Sequence, residues 1–242
     1  EKLVIEHEDE MVREFDPEIW LDPTGKLWLF WAQHAADNRK EGSLSGVWAI
    51  TANETDGPDA AWSAPRRLCD GVMMCKPVVL SSGEWALPVS YWHRRDNGSA
   101  TIVVSNDQGQ TWNERGAVGV PPEYRDHDEH MIVELQDKRL WMLVRTNYGI
   151  GESVSIDSGR SWSLLHPSAI PHVRSRFFIR RLASGRLLLV RHAPSNNAYA
   201  GSYANSVQKG QRSPSTCILP EEERQTSPNS TLPQDRGRVA ST

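Results

Sequence analysis

Arg125-Asp126-His127-Asp128-Glu129-His130 sets six ionisable side chains in succession, directly ahead of an apolar run that begins at Met131. Carboxylates crowded together raise some of one another's pKa values, which suits a general acid. Arg145 closes the next apolar run, Leu140-Trp-Met-Leu-Val144. Its planar fork of donors matches a carboxylate through two parallel hydrogen bonds. Glu129 and Arg145 therefore either address a ligand together from neighbouring strand ends or simply pair with each other there. Asp128 and His130 are candidates for holding ligand hydroxyls. No His pair at helical i, i+4 spacing supports a metal, and a carboxylate-rich loop is commonly just solvated, so neither metal nor cofactor is expected.

Further residues share the same positions in the pattern. Trp92, in Trp92-His-Arg-Arg95, closes an earlier apolar run as Arg145 closes a later one. Its ring offers either a stacking platform or a wedge between packed sheets. Tyr148 and Glu152 follow Arg145 on a loop loosened by Gly149 and Gly151, and Tyr148 is a nucleophile candidate only if Glu129 lies beside it. Arg174 and Arg176 precede the last apolar strand, where they either add positive charge to a shared opening or stand as solvated strand-end arginines.

The elements that must position these groups are set by a repeat. Ser105-Asn-Asp107-Gln-Gly109-Gln-Thr111-Trp112 and Ser155-Ile-Asp157-Ser-Gly159-Arg-Ser161-Trp162 are two copies of S-x-D-x-G-x-[T/S]-W. A period of this length marks a repeat architecture. Asp followed two positions later by Gly builds a tight turn: the carboxylate accepts backbone N–H groups and Gly takes a positive φ. The hydroxyls tie the turn to its strand, and Trp112 and Trp162 plug the seams beneath. Ile50 to Trp62 reads as a degenerate copy. Between the turns run paired apolar strands: 19–21 with 25–31, 77–80 with 83–89, 131–135 with 138–144, and 177–182 with 185–190. With a third strand such as Thr101–Val104, each set makes one four-stranded blade of about fifty residues. A generic β-sandwich is the duller alternative, and the regular Asp-turn period speaks against it.

The 242 residues carry a net charge of -4, which argues against nucleic acid as a partner. No apolar run approaches the ~18 residues of a membrane span. Three cysteines, Cys69, Cys75 and Cys217, have no metal spacing and are read as free thiols in preference to a Cys69–Cys75 bridge. All ten tryptophans lie at or before Trp162, whereas the chain after residue 192 turns rich in Ser, Pro, Gln, Asn and Arg. Such composition buries too little apolar surface to order itself. The expected organisation is a partial propeller over residues 1–192, its last blade cut off after two strands, and a disordered or out-of-frame tail over 193–242.

At the Asp-turns and at Glu129-His-Met-Ile-Val-Glu-Leu-Gln-Asp-Lys-Arg-Leu-Trp-Met-Leu-Val-Arg145 the chain resembles the sialidase superfamily, over about residues 12–192. The resemblance implies an all-β fold, an incomplete six-bladed β-propeller of about three and a half blades, with the Asp-turns on the rim away from the active site. It implies that Glu129 polarises a Tyr nucleophile and that Arg145 clamps a substrate carboxylate. Members of this kind use Tyr where most retaining glycosidases use a carboxylate. His34 falls where the family has an Arg, and Asp37 is the nearest candidate for the loop acid that protonates the leaving group. Departures are equally plain. Phe15-Asp16-Pro17 stands where the family opens with Arg-Ile-Pro, the third clamping Arg is not assignable, and the Tyr belongs to a blade this sequence lacks; Tyr199 and Tyr203 do not inherit its role.

The expected function is a sialidase-like exo-glycosidase that removes a terminal, acidic sugar from a glycan, inactive as this chain alone. The alternatives are a non-catalytic propeller binding glycan or protein, and a degraded gene product. The resemblance implies a secreted or periplasmic location.

Overall fold

The apolar strands predicted from the sequence pair into antiparallel sheets that repeat around one axis. The computed structural model describes residues 12–35, 45–53, 61–92, 99–192 and the strand 214–219. Blade one comprises β1 (Val12–Leu21), β2 (Lys26–Ala35), β3 (Gly46–Asn53) and β4 (Arg66–Asp70). Blade two comprises β5 (Val78–Val79), β6 (Trp85–Ser90), β7 (Ala100–Ser105) and β8 (Asn113–Val118). Blade three comprises β9 (Arg125–Glu134), β10 (Leu140–Thr146), β11 (Gly149–Ser155) and β12 (His166–Pro167). In each, chain order is also spatial order, the up-and-down meander of a propeller blade. The fold is an all-β, incomplete propeller, and the described residues contain no α-helix.

Blade four corrects one expectation. β13 (Phe178–Arg181) and β14 (Leu187–His192) are not its last strands, because β15 (Pro214–Leu219) pairs along β14 from Leu187↔Leu219 to His192↔Pro214. A β14 edge offers backbone donors and acceptors to any extended segment, whatever the overall composition around it. Ser215-Thr-Cys-Ile-Leu219 is a short run with strand-forming residues inside a polar stretch, which a composition average hides. The remainder of 193–242 lies outside the described residues.

The core sits between blades, not within a single sheet, and this is why strands such as β10 are apolar at every position. Trp141 and Leu143 pack toward blade four with Phe177, Ile179, Leu187 and Leu189. Leu140, Met142 and Val144, on the other face, pack toward blade two with Ala86, Ile102 and Val104. Period-two alternation sends successive side chains into two different interfaces. Burying one such side chain as completely as Leu143 stabilises the fold by roughly 1.5–3 kcal/mol. Trp20, Trp28, Phe30 and Trp85 join blades one and two in the same way.

Both Asp-turns form as their residues dictate. Ser105 Oγ donates to Asp107 Oδ1 (2.7 Å) and accepts from the Gly109 N–H (2.7 Å). The Asp107 carboxylate accepts from the N–H (2.9 Å) and the hydroxyl (2.6 Å) of Thr111. Ser155, Asp157, Gly159 and Ser161 repeat every one of these bonds. Gly109 and Gly159 take φ of +81° and +88°, as expected, and the preceding Gln108 and Ser158 are also left-handed. Trp112 and Trp162 pack against the inter-blade clusters on either side of blade two.

These hydrogen bonds hold the Asp107 carboxyl down at about 2, led by the bond from the Thr111 hydroxyl, and lower Asp157 as well. A carboxyl depressed on folding adds stability that is complete above its unfolded pKa, near 4, and is lost as pH falls toward the folded value. Thermal melts of the wild type therefore drop between about pH 4 and pH 2, and the double variant Asp107→Asn, Asp157→Asn melts lower at pH 7 with a flatter acid limb. Equal acid slopes in the two proteins would show that the turns do not carry this dependence.

Cys69 and Cys75 are free thiols. Burial pushes Cys69 up to about 12 and Cys75 higher still, so neither is a nucleophile at neutral pH.

Candidate functional site

The first strands of all four blades converge on an axial cavity of about 270 Å³, with Trp20 from β1, Val78 and Val79 from β5, Ile132 and Val133 from β9, and Ile179 from β13 in its wall. At one end of this axis lie the strand ends that the sequence singled out. Two irregularities shape that end. In β9, His130 pairs with Val144 and Arg125 with Thr146, so residues 126–129 all bulge opposite the single residue Arg145. In β1, Phe15 pairs with Ala32 and Glu18 with Phe30, so Asp16 and Pro17 bulge opposite Trp31. Asp16 sits there at φ +53°, which Asp tolerates better than most residues, and Pro17 needs no ladder donor at a bulge. Bulges re-aim side chains, and both of these deliver carboxylates to the mouth.

The delivered groups form one chain of alternating charge. Arg174 donates to Asp126 (2.7 Å), and Asp126 also accepts from Arg145 (3.1 Å). Arg145 Nη1 lies 3.0 Å from both oxygens of Glu129. Glu129 in turn faces Arg176 at 3.5 Å, and Arg176 ends the chain on Asp16 at 3.0 Å. Three guanidiniums and three carboxylates thus alternate without a break. Asp126 and Glu129 are buried, whereas Arg174 and Arg176 are 59% and 44% exposed and present the chain to solvent. Burial works against the charge on Arg176, but its bonds to Asp16 and Glu129 outweigh that and hold it protonated. Neighbouring Glu18 is pushed up by burial, with Lys76 and Arg176 offsetting part of the rise.

Glu129 and Arg145 therefore do meet at the mouth, and they do so as a direct ion pair, the second of the two possibilities left open by the sequence. The pocket beside them, lined by Met74, Met131, Phe177 and Arg176, has a cavity of about 10 Å³, room for one water at most. A larger ligand must lie over the exposed flank formed by Asp16, Arg174 and Arg176.

Other expected site residues fall differently. His130 requires correction as a ligand contact. It is only 4% exposed, its Nε2 donates to the Thr101 carbonyl (2.7 Å), and its Nδ1 meets Ser90 Oγ (3.2 Å). Side chains alternate along β9, so His130 turns toward blade two while Glu129 turns to the mouth. Trp92 stacks on Phe15 with ring centroids 6.0 Å apart, the wedge between blades one and two. His34, at the end of β2 on the same rim, bonds Ser45 Oγ through Nδ1 (2.8 Å). Tyr148 lies edge-on to Tyr124 (5.2 Å); burial raises its pKa against a smaller opposing effect from Thr146, the wrong direction for a phenolate nucleophile. Among the described residues, none of these partners belongs to the alternating chain. Asp37, His93, Tyr199, Tyr203 and the side chain of Asp128 lie outside the described residues. Among the described residues no cluster of His, Cys, Asp and Glu could hold a metal, and no helix is long and apolar enough to cross a membrane.

Asp16 entered the sequence expectation only as part of Phe15-Asp16-Pro17, the triplet without the expected Arg, and Glu18 did not enter it at all. The available signal was Asp16-Pro17 inside an apolar strand, since Pro there implies a bulge.

Residues 3–226 match the BNR repeat-like domain family. No curated protein sequence matches the chain. Among solved structures, a protein of unknown function from Dyadobacter fermentans superposes with a TM-score of 0.59 at 14% identity, over 74% of this chain and 57% of that one. The intramolecular trans-sialidase from Ruminococcus gnavus gives 0.53 at 12% identity, over 76% and 61%. An endo-arabinase from Bacteroides thetaiotaomicron gives 0.50 at 16% identity, over 89% and 79%. The chain spans less than two thirds of the first two, and identities this low establish the fold alone.

Proposed function

Because this chain belongs to the BNR repeat-like domain family of sialidase-type propellers, we propose that its axial mouth is a glycan site and that the whole protein is an exo-glycosidase acting on a terminal sugar. The observation that carries this reading is the meeting of Glu129 and Arg145 at the converging strand ends, Glu129 from the bulge in β9 and Arg145 from the end of β10 opposite it. Glu129 is the group that would polarise a nucleophile or hold a ring hydroxyl. Asp37 remains the proposed proton donor. Glycans outside the cell are the expected targets.

Among the described residues no nucleophile is assigned, because Tyr148 packs edge-on to Tyr124 and burial raises its pKa. The 242-residue chain alone is therefore expected to release no detectable fluorophore from glycoside substrates. A protein completed by a Tyr-bearing blade is expected to turn over, and Glu129→Gln in it lowers kcat about 10²–10⁴-fold. An unchanged kcat in that variant would remove Glu129 from the mechanism. The packing of Tyr148 also favours a second reading, a non-catalytic glycan-binding propeller. Glycan-array binding that survives Glu129→Gln, with no hydrolysis by the completed protein, would select it.

A further inference from the structure

We infer that the mouth recognises a neutral, hydroxyl-rich sugar and discriminates against sugars bearing a carboxylate. This rests on the glycan reading above and deepens it by naming the substrate class. The sequence expectation of an acidic sugar assumed that Arg145 is available to a ligand. Arg145 is instead held by both oxygens of Glu129 and by Asp126. Arg176 is held between Asp16 and Glu129, and Arg174 is held by Asp126. Every guanidinium in the chain of six already faces a carboxylate of the protein, and three positive charges balance three negative ones.

An incoming carboxylate can reach the outer N–H groups of Arg174 and Arg176 only beside a carboxylate of the protein, and to take either guanidinium as its own counter-charge it must displace that internal partner. The displaced group would be Asp126 or Glu129, both buried, or the half-buried Asp16. Stranding a buried carboxylate, or adding a fourth anion beside it, is unfavourable. Asp16 is the specificity-determining residue in this scheme. It pairs with Arg176 at 3.0 Å and so withholds that positive charge from an anionic ligand. A neutral sugar meets no such barrier. Its hydroxyls donate to the spare lone pairs of Asp16 and accept from the remaining N–H groups of Arg174 and Arg176, and neither ion pair has to open.

The test uses the purified 242-residue chain and matched probe pairs: the methyl glycosides of glucose and glucuronic acid, of galactose and galacturonic acid, and methyl sialoside. Binding is read by ligand-observed NMR at low ionic strength. The neutral member of at least one pair is expected to bind, with its uronate at least about tenfold weaker. Asp16→Asn frees Arg176 and narrows that gap to about threefold or less, at far-UV circular dichroism matching the wild type. The wild-type comparison stands even if the variant folds poorly. Tighter binding of the uronate or the sialoside by wild type would overturn the inference and leave the glycan site intact. Binding of no sugar at all would sink the glycan reading itself, and this inference with it.

Discussion

Asp126→Ala is expected to lower the unfolding free energy by about 3–5 kcal/mol, read from urea denaturation followed by far-UV circular dichroism. Asp126 is almost wholly buried and bridges Arg145 and Arg174. Removing it leaves the largely buried Arg145 with only Glu129 as a counter-charge, and breaking a buried pair from one side costs far more than never having made it. The exposed Arg174 contributes little to the loss, because solvent screens it. Two comparisons locate the effect. Arg174→Ala is expected to cost less than about 1 kcal/mol. The double variant Asp126→Leu, Arg145→Met should recover part of the loss, since it removes both buried charges. A loss below about 1 kcal/mol for Asp126→Ala would mean that water reaches Arg145 freely and that the mouth is not desolvated.

Trp85→Ala is expected to cost about 3–5 kcal/mol, and to do so locally. Trp85 is 3% exposed and meets Trp20 edge-on at 4.9 Å and Trp28 edge-on at 6.0 Å. Gly109 of the first Asp-turn lies against the same rings, so close that a Cβ there would fall 2.8 Å from Trp28. The side chain thus joins blade one, blade two and the turn that closes blade two. Stability in a repeat fold is close to a sum of nearest-neighbour interfaces. Hydrogen exchange should therefore accelerate most in β1, β2 and β3, while β10 and β11 keep their protection. Uniform acceleration across all blades would show instead that the chain unfolds as one cooperative unit.

Much of the fold was legible because the repeat is local. Each Asp-turn closes its hydrogen bonds within seven residues, Ser105 to Thr111 and Ser155 to Ser161, so spacing alone specifies it. The unbroken apolar run Leu140–Val144 likewise announced a strand buried on both faces, and its alternate residues do enter two different interfaces. The third strand of blade four was not legible. Its pairing depends on an edge of β14 that lies more than twenty residues away in the chain, and local composition does not register that edge.

The site divides along the same line. Residue type and strand position sufficed to bring Glu129, Arg145 and Arg176 to one opening, because strands that alternate in direction put every second-strand end on the same rim. They did not reveal that His130, one residue on, turns to the opposite face, nor that Asp16 closes the charge chain. By itself, then, the sequence determined the blades, their turns and which end of the axis collects the ionisable groups. Only the tertiary structure decided which charge faces which, because those contacts join residues 16, 126, 129, 145, 174 and 176 from three blades, and two bulges that shift register by a residue or more choose the partners. Electrostatic pairing falls off over a few ångströms, so a shift of that size separates a free clamp from a neutralised one.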